Sequence, residues 1–333
     1  MKTDNISGEF STQNKLFIRE KWNAPLIKFL TRNIDDRLIY VGLPSKTADD
    51  VHQWIDHIKM VIAFQCREYG KASDPSQSRE DIEELDSLLR KLERESKIDG
   101  FVVYDGYLEE VIFKGSDNSP NEIKFEIGEF ITLYNLDFCN DIASPIEFVD
   151  KNGDIQKVYK INAIQKLLEI QSGLSKISNK FLFFLTVHCS YKGKELEDFL
   201  NNPPDDYIKQ YLTNYYKLRG HEKNARIVRL FVCYHLHMYF KSFNFSCKIL
   251  PVIKYEGINN TPLLHFSVIG VHPALTASGV PSYQSLNSIL EQGFISINDN
   301  SFVSEGVESE QNFNNIHPVD IFTQTKTYKK VWQ

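Results

Sequence analysis

Residues 37–66 read RLIYVGLPSKTADDVHQWIDHIKMVIAFQC. A short apolar run, Leu38, Ile39, Tyr40 and Val41, stops at Gly42-Leu43-Pro44. A helix is expected from about Ser45, whose hydroxyl is placed to accept an orphan backbone N–H as N-cap. Asp49 and Asp50 fall in its first turns, where the helix dipole favours acids. Val51, Trp54, Ile55 and Ile58 recur at helical spacing, and a second apolar run, 60–64, follows. Strand, tight turn, helix and strand in this order make a βαβ unit.

The rest of the chain repeats the alternation. Residues 21–30 read as a lead-in helix after a polar arm, 1–20. A helix from Ser78 carries its acids at the front and its bases at the rear. Residues 101–113 read as extended, with a hairpin at Asp105-Gly106. The strand over 130–136 ends in Asn135-Leu136-Asp137-Phe138, and a helix is expected over 158–174. FLFFLTV, 181–187, is apolar throughout, as a parallel strand covered on both faces requires. Helices are expected over 195–200, 206–218 and 222–241, the last buried. Two runs, 248–255 and 263–271, flank a Gly- and Pro-containing turn and form a hairpin. A helix near 282–291 precedes a polar tail.

The fold class is therefore α/β: a Rossmann-like, mostly parallel sheet with helices on both faces and a C-terminal antiparallel hairpin. It is expected over 21–275, with 276–333 as a C-terminal helix and tail. The chain has 333 residues, 42% of them hydrophobic, enough to bury a large core. A net charge of -6 excludes a global basic footprint for nucleic acid. The start, MKTDNISGEF, lacks the basic-then-apolar pattern of a signal peptide. Five scattered cysteines without a CxxC read as reduced thiols of a cytoplasmic protein.

The order of elements resembles the class I S-adenosylmethionine-dependent methyltransferases, whose Rossmann-like sheet ends with an antiparallel strand entered through a hairpin. The resemblance covers about residues 35–273 and is architectural. It implies S-adenosylmethionine as cofactor, with Gly42, Leu43, Ser45, Gln65 and Asn135 around it and Asp137 and Asn140 on the acceptor side. This chain departs from the family's motifs. One glycine, Gly42, stands where several are usual, Pro44 removes a backbone donor, and Gln65 replaces the acid that holds the ribose. Those departures leave open a second reading, a non-catalytic Rossmann-like scaffold or recognition subunit of a bacterial nucleic-acid-processing or defence complex.

Other constellations read as structural. Asn202-Pro203-Pro204-Asp205 has an acid where the base-flipping motif needs an aromatic, and it follows a helix, so it is a helix stop. Cys233 and His237 share a helix face but lack a second ligand pair, and His188-Cys189 alternate across a strand. Lys217, Arg219, Lys223, Arg226 and Arg229 are the densest basic cluster. With Tyr211, Tyr215 and Tyr216 they form a candidate nucleic-acid surface.

Overall fold

The computed structural model describes residues 12–34, 36–65, 75–138, 141–150, 152–174, 180–190, 193–272, 284–305 and 316–324. The parallel body of the sheet consists of β1 (Leu38–Gly42), β2 (Ile58–Gln65), β3 (Gly100–Asp105), β4 (Leu133–Asp137) and β7 (Lys180–His188). A separate two-stranded ribbon, β5 (Pro145–Val149) with β6 (Ile155–Tyr159), stands between β4 and β7 in the chain. The C-terminal part adds β8 (Ser246–Ile249), β9 (Ile253–Glu256), β10 (Pro262–Val271), β11 (Ile295–Asn298) and β12 (Ser301–Ser304).

Across the sheet the order is β12-β11-β9-β10-β7-β4-β1-β2-β3, with β8 also on β10. The pairs β3–β2, β2–β1, β1–β4 and β4–β7 are all parallel. β10 enters antiparallel between β7 and the β8–β9 segment. This is the arrangement that the element order in the sequence led us to expect, a mostly parallel sheet closed by an antiparallel strand. The order reverses between β1 and β4, and the crevice outside the carboxyl ends at such a switch point is where open α/β sheets bind ligands.

Helices cover both faces because the strands are apolar on both. One face carries α5 (Leu108–Lys114), α6 (Lys160–Gly173), α7 (Lys194–Asn201), α8 (Asp206–Tyr215), α9 (Gly220–Ser242) and α10 (Leu286–Leu290). The other carries α1 (Gln13–Ile18), α2 (Ala24–Thr31), α3 (Asp49–Gln53), α4 (Pro75–Arg94) and α11 (Pro318–Thr323). Phe181, Phe183 and Leu185 of β7 point into the first core, and Leu182 and Phe184 into the second. That alternation is the period of two built into every strand.

Several local expectations change. Helix already begins at Gln13, inside the polar segment read as an arm, because the Thr12 hydroxyl accepts the Lys15 N–H at 3.3 Å. It continues through a π-helical turn, Arg19–Asn23, into α2. Ser45 is not an N-cap. Its hydroxyl pairs with that of Thr47 at 2.9 Å, and α3 starts only at Asp49, after Ala48 in the left-handed region.

The hairpin expected at Asp105-Gly106 is a strand-to-helix turn. Gly106, at φ +148°, donates its N–H to the Gln65 carbonyl at 3.1 Å and directs the chain into α5. Pro251 lies in the break that splits the run over 248–255 into β8 and β9, since it has no N–H for the ladder. The β11–β12 and β5–β6 hairpins were not expected. Their strands are four or five residues long and mix polar with apolar side chains.

Candidate functional site: a polar row beneath the N-terminal helix

Near the carboxyl ends of the parallel strands, the face under α1 changes from apolar to polar. Strand parity selects the residues. Leu133 of β4 lies in the core on this side, so Asn135 and Asp137 share its face. Likewise Leu182 and Phe184 are followed by Thr186 and His188 on β7. Leu263 and Ile269 place His265 and Ser267 of β10 on the same side. The ladder then aligns Asp137 with Thr186, and Thr186 with His265.

The polar groups on this face bind one another and the helix above. The N-terminal stretch supplies Lys15, Arg19 and Asn23 at spacings of four, one stripe of the helix. Lys15 Nζ lies 2.7 Å from Asp137 Oδ2, with the two side chains 13% and 19% exposed. Asn23 Oδ1 is 3.0 Å from His265 Nε2, and Thr186 Oγ1 is 3.0 Å from His265 Nδ1. An amide oxygen can only accept, so Nε2 carries the proton and Nδ1 accepts from the Thr186 hydroxyl. Burial pushes the His265 imidazole down to about 4, so it is neutral. Trp22 Nε1 donates to Ser267 Oγ at 3.0 Å, and the buried Tyr255 lies against Thr186 and Asp137.

A second network lies under the turn after β1. The Tyr40 hydroxyl donates to Asp50 Oδ2, and Asn135 Nδ2 donates to the same oxygen at 2.6 Å. Asp50 Oδ1 accepts the Val51 N–H at 2.9 Å, so this 2%-exposed carboxylate is matched by three donors. Gly42 is bare because Tyr40 passes beside it: a Cβ there would lie 2.1 Å from the Tyr40 hydroxyl.

On the opposite face, Lys160 Nζ and Glu109 Oε1 form a buried pair at 3.6 Å. Lys160 also donates to the Ser144 carbonyl at 3.2 Å, and burial raises the Glu109 carboxyl.

The expected site residues are only partly brought together. Gly42, Leu43 and Asn135 are neighbours: Gly42 is in register with Asn135, whose carbonyl accepts the Leu43 N–H at 3.3 Å. Gln65 ends β2 in register with Asp105, and its carbonyl is taken by Gly106. Asp137 ends β4 under Lys15. Asn140 lies outside the described residues.

One member of the basic cluster leaves the surface. Arg229 is buried, donating to the Gln292 and Leu290 carbonyls at 2.7 Å each, which corrects its expected place on a nucleic-acid surface. Arg226 pairs with Glu222 at 2.6 Å, and Lys223 lies 4.9 Å over the Tyr216 ring. Lys217 reaches Asn214 Oδ1 at 3.5 Å, and Arg219 is the N-cap residue of α9. Cys189, Cys233 and Cys247 are buried thiols, and no metal-binding group of three or more His, Cys, Asp or Glu occurs among the described residues. Nor is any helix among them long and apolar enough to cross a membrane.

The sequence reading missed Lys15, Arg19, Asn23, Tyr40, Asp50, Thr186 and His265. A signal was present: three nearly apolar strands each carry polar residues of one parity at the same end. The i, i+4, i+8 stripe of the N-terminal helix was a second.

No protein-family model matches the chain, and no curated protein does. Solved structures with similar architecture include an rRNA methylase from Streptococcus thermophilus, at 13% identity over 74% of this chain and 94% of that one, TM-score 0.31. Another is the YcgJ protein of Bacillus subtilis, at 10% over 75% and 98%, TM-score 0.29. A third is M. jannaschii TYW2 in complex with AdoMet, at 8% over 75% and 76%, TM-score 0.31. The fold assignment rests on the strand order itself.

S-adenosylmethionine is the group that the resemblance in element order implies, and the residues present do not fit it well. The bare backbone at Gly42 is filled by the chain's own Tyr40 ring. The helix that follows opens with Asp49 and Asp50, which disfavour a second carboxylate at its N-terminus. Gln65 offers the ribose a neutral amide in place of a carboxylate.

Proposed function

We propose that this chain is a methyltransferase-type body working as a non-catalytic recognition or scaffold subunit. The observation that supports this most is the closure of both polar strand ends on the protein itself. Asn135 and Tyr40 are bound to Asp50, and Asp137 is bound to Lys15. The setting that goes with this proposal is a macromolecular assembly, of the kind that processes nucleic acid or serves defence in bacteria. Lys217, Arg219, Lys223 and Arg226 remain as its candidate nucleic-acid contacts.

The second reading is an S-adenosylmethionine-dependent methyltransferase with Gly42, Leu43, Ser45, Gln65 and Asn135 at the cofactor and Asp137 with Asn140 toward the acceptor. It is favoured by one observation, the meeting of Gly42 and Asn135 in register at the switch point. Calorimetric titration with S-adenosylmethionine and S-adenosylhomocysteine separates the two. The scaffold reading expects no heat and no thermal shift at millimolar ligand. Saturable binding that Gly42→Trp abolishes would transfer the conclusion to the enzyme.

A further inference from the structure

The N-terminal helix is held in two different ways along its length. In α2, Leu26, Ile27 and Leu30 are fully buried against the sheet. In α1, Ile18 is the one buried residue, and Leu16 is 44% exposed. Beyond the packing of Phe17 and Ile18 at the core's edge, α1 is fixed by two polar contacts. Asn14 Nδ2 donates to the Glu256 carbonyl at 3.0 Å, and Lys15 Nζ meets Asp137 at 2.7 Å. Phe17 adds a ring contact with Phe302 at 4.9 Å.

Between these halves lies the π-helical turn Arg19–Asn23. Such turns are uncommon, interrupt the α-helical ladder, and gather at functional sites. Beneath the Lys15 side of α1 is the polar row at the ends of β4 and β7, while Phe17 and Ile18 reach the edge of the apolar core. A part-exposed ion pair and one hydrogen bond are weak compared with the buried apolar stripe of α2. The two halves therefore differ in the free energy of opening, which is how proteins partition local unfolding.

We propose that α1 is a lid over the carboxyl ends of β4 and β7, hinged at the π-turn Arg19–Asn23 and held shut by the Lys15–Asp137 ion pair. Opening swings Lys15 off Asp137 and gives solvent access to the Asp137 and Thr186 end of the row, while α2 stays docked. The crevice is then gated by the chain itself, whichever ligand or partner it receives.

Native-state hydrogen exchange on the full chain tests this. In the parent protein, the amides of Leu16, Phe17 and Ile18 should exchange through a smaller opening than those of Ile27 and Leu30. Lys15→Met keeps the apolar stem and removes the charge. It should speed exchange at 16–18 about two- to fivefold and leave 27 and 30 unchanged, the size expected for a part-exposed ion pair. Asp137→Asn should do the same. The exchange of charges, Lys15→Asp with Asp137→Lys, should recover most of the protection. Unchanged exchange at 16–18 in both single variants, or equal acceleration at 27 and 30, overturns the lid.

Discussion

Tyr40 and Gly42, two residues apart on one face of β1, are complementary in shape: the phenol of the first occupies the space a side chain on the second would need. The Tyr40 hydroxyl then reaches Asp50, which also holds Asn135, and so ties β1, β4 and α3 together. Gly42→Ala forces the ring or the backbone to move, and should destabilise by about 1–3 kcal/mol, the usual cost of overpacking. Tyr40→Ala removes the obstacle, so Gly42→Ala should cost much less in that background. Urea unfolding of the four proteins in the double-mutant cycle reads this coupling directly; additive effects would mean the contact is not the reason for the glycine.

Asp50→Ala removes the acceptor for the Tyr40 hydroxyl, the Asn135 amide and the Val51 N–H. Two of these donors are buried side chains, and leaving a buried donor unmatched costs about 1–3 kcal/mol each. The variant should therefore lose several kcal/mol in chemical denaturation. Asp50→Asn keeps one acceptor oxygen and should fall between the two.

His265 gives stability a definite pH dependence. Its folded-state value is lowered to about 4 by burial, against 6.5 for the free side chain, with Asp137, Lys15 and Arg19 acting on it more weakly. Between those two values the unfolded chain binds a proton that the native chain does not. Stability should therefore be full above pH 6.5 and fall as the pH is lowered toward about 4, by up to about 3 kcal/mol from this group. His235, lowered by burial to about 4 as well, acts in the same direction. In His265→Gln the slope of unfolding free energy against pH across that window should drop by roughly the contribution of one proton, about 1.4 kcal/mol per pH unit.

The buried Glu109–Lys160 pair predicts an asymmetry. Lys160→Met strands a 2%-exposed carboxylate and should cost about 3–5 kcal/mol at pH 7. Part of that loss should return at low pH, where Glu109 can be neutral. Replacing both, Lys160→Met with Glu109→Leu, should come close to the parent stability, because the desolvation cost of both charges disappears. A double variant as unstable as the single one would show that the pair has a role beyond its own compensation.

Arg229 links α9 to the end of α10 through two carbonyls and lies 4.5 Å over the Phe294 ring. Lysine cannot reproduce the planar fork or the ring contact. Arg229→Lys should thus lower the melting temperature and loosen residues 290–295 in hydrogen exchange. Any effect on nucleic-acid binding should follow from that loosening, whereas Lys217→Ala should leave stability unchanged.

The sheet was legible because its strands are so apolar. FLFFLTV reads as a strand covered on both faces, and the alternation of such runs with amphipathic helices leaves few topologies. The short hairpins at 145–159 and 295–304 were not, since four- and five-residue strands of mixed character carry little periodic signal. Part of the polar surface at the crevice was legible. Gly42, Asn135 and Asp137 could be placed there because strand ends in α/β sheets are where polar residues gather. Tyr40 and His265 were missed because each lies within an apolar run and reads as core.

The sequence by itself determined the α/β class, the antiparallel closure and the strand ends that meet at the crevice, since these follow from periodicity and hydrophobic burial along the chain. Tertiary structure alone decided what those ends do. Lys15 and Asp137 are 122 positions apart, and Asn23 and His265 are 242 apart. Only the register of the sheet and the docking of the N-terminal helix bring such groups into hydrogen-bonding range, and no local pattern encodes which of them will become partners.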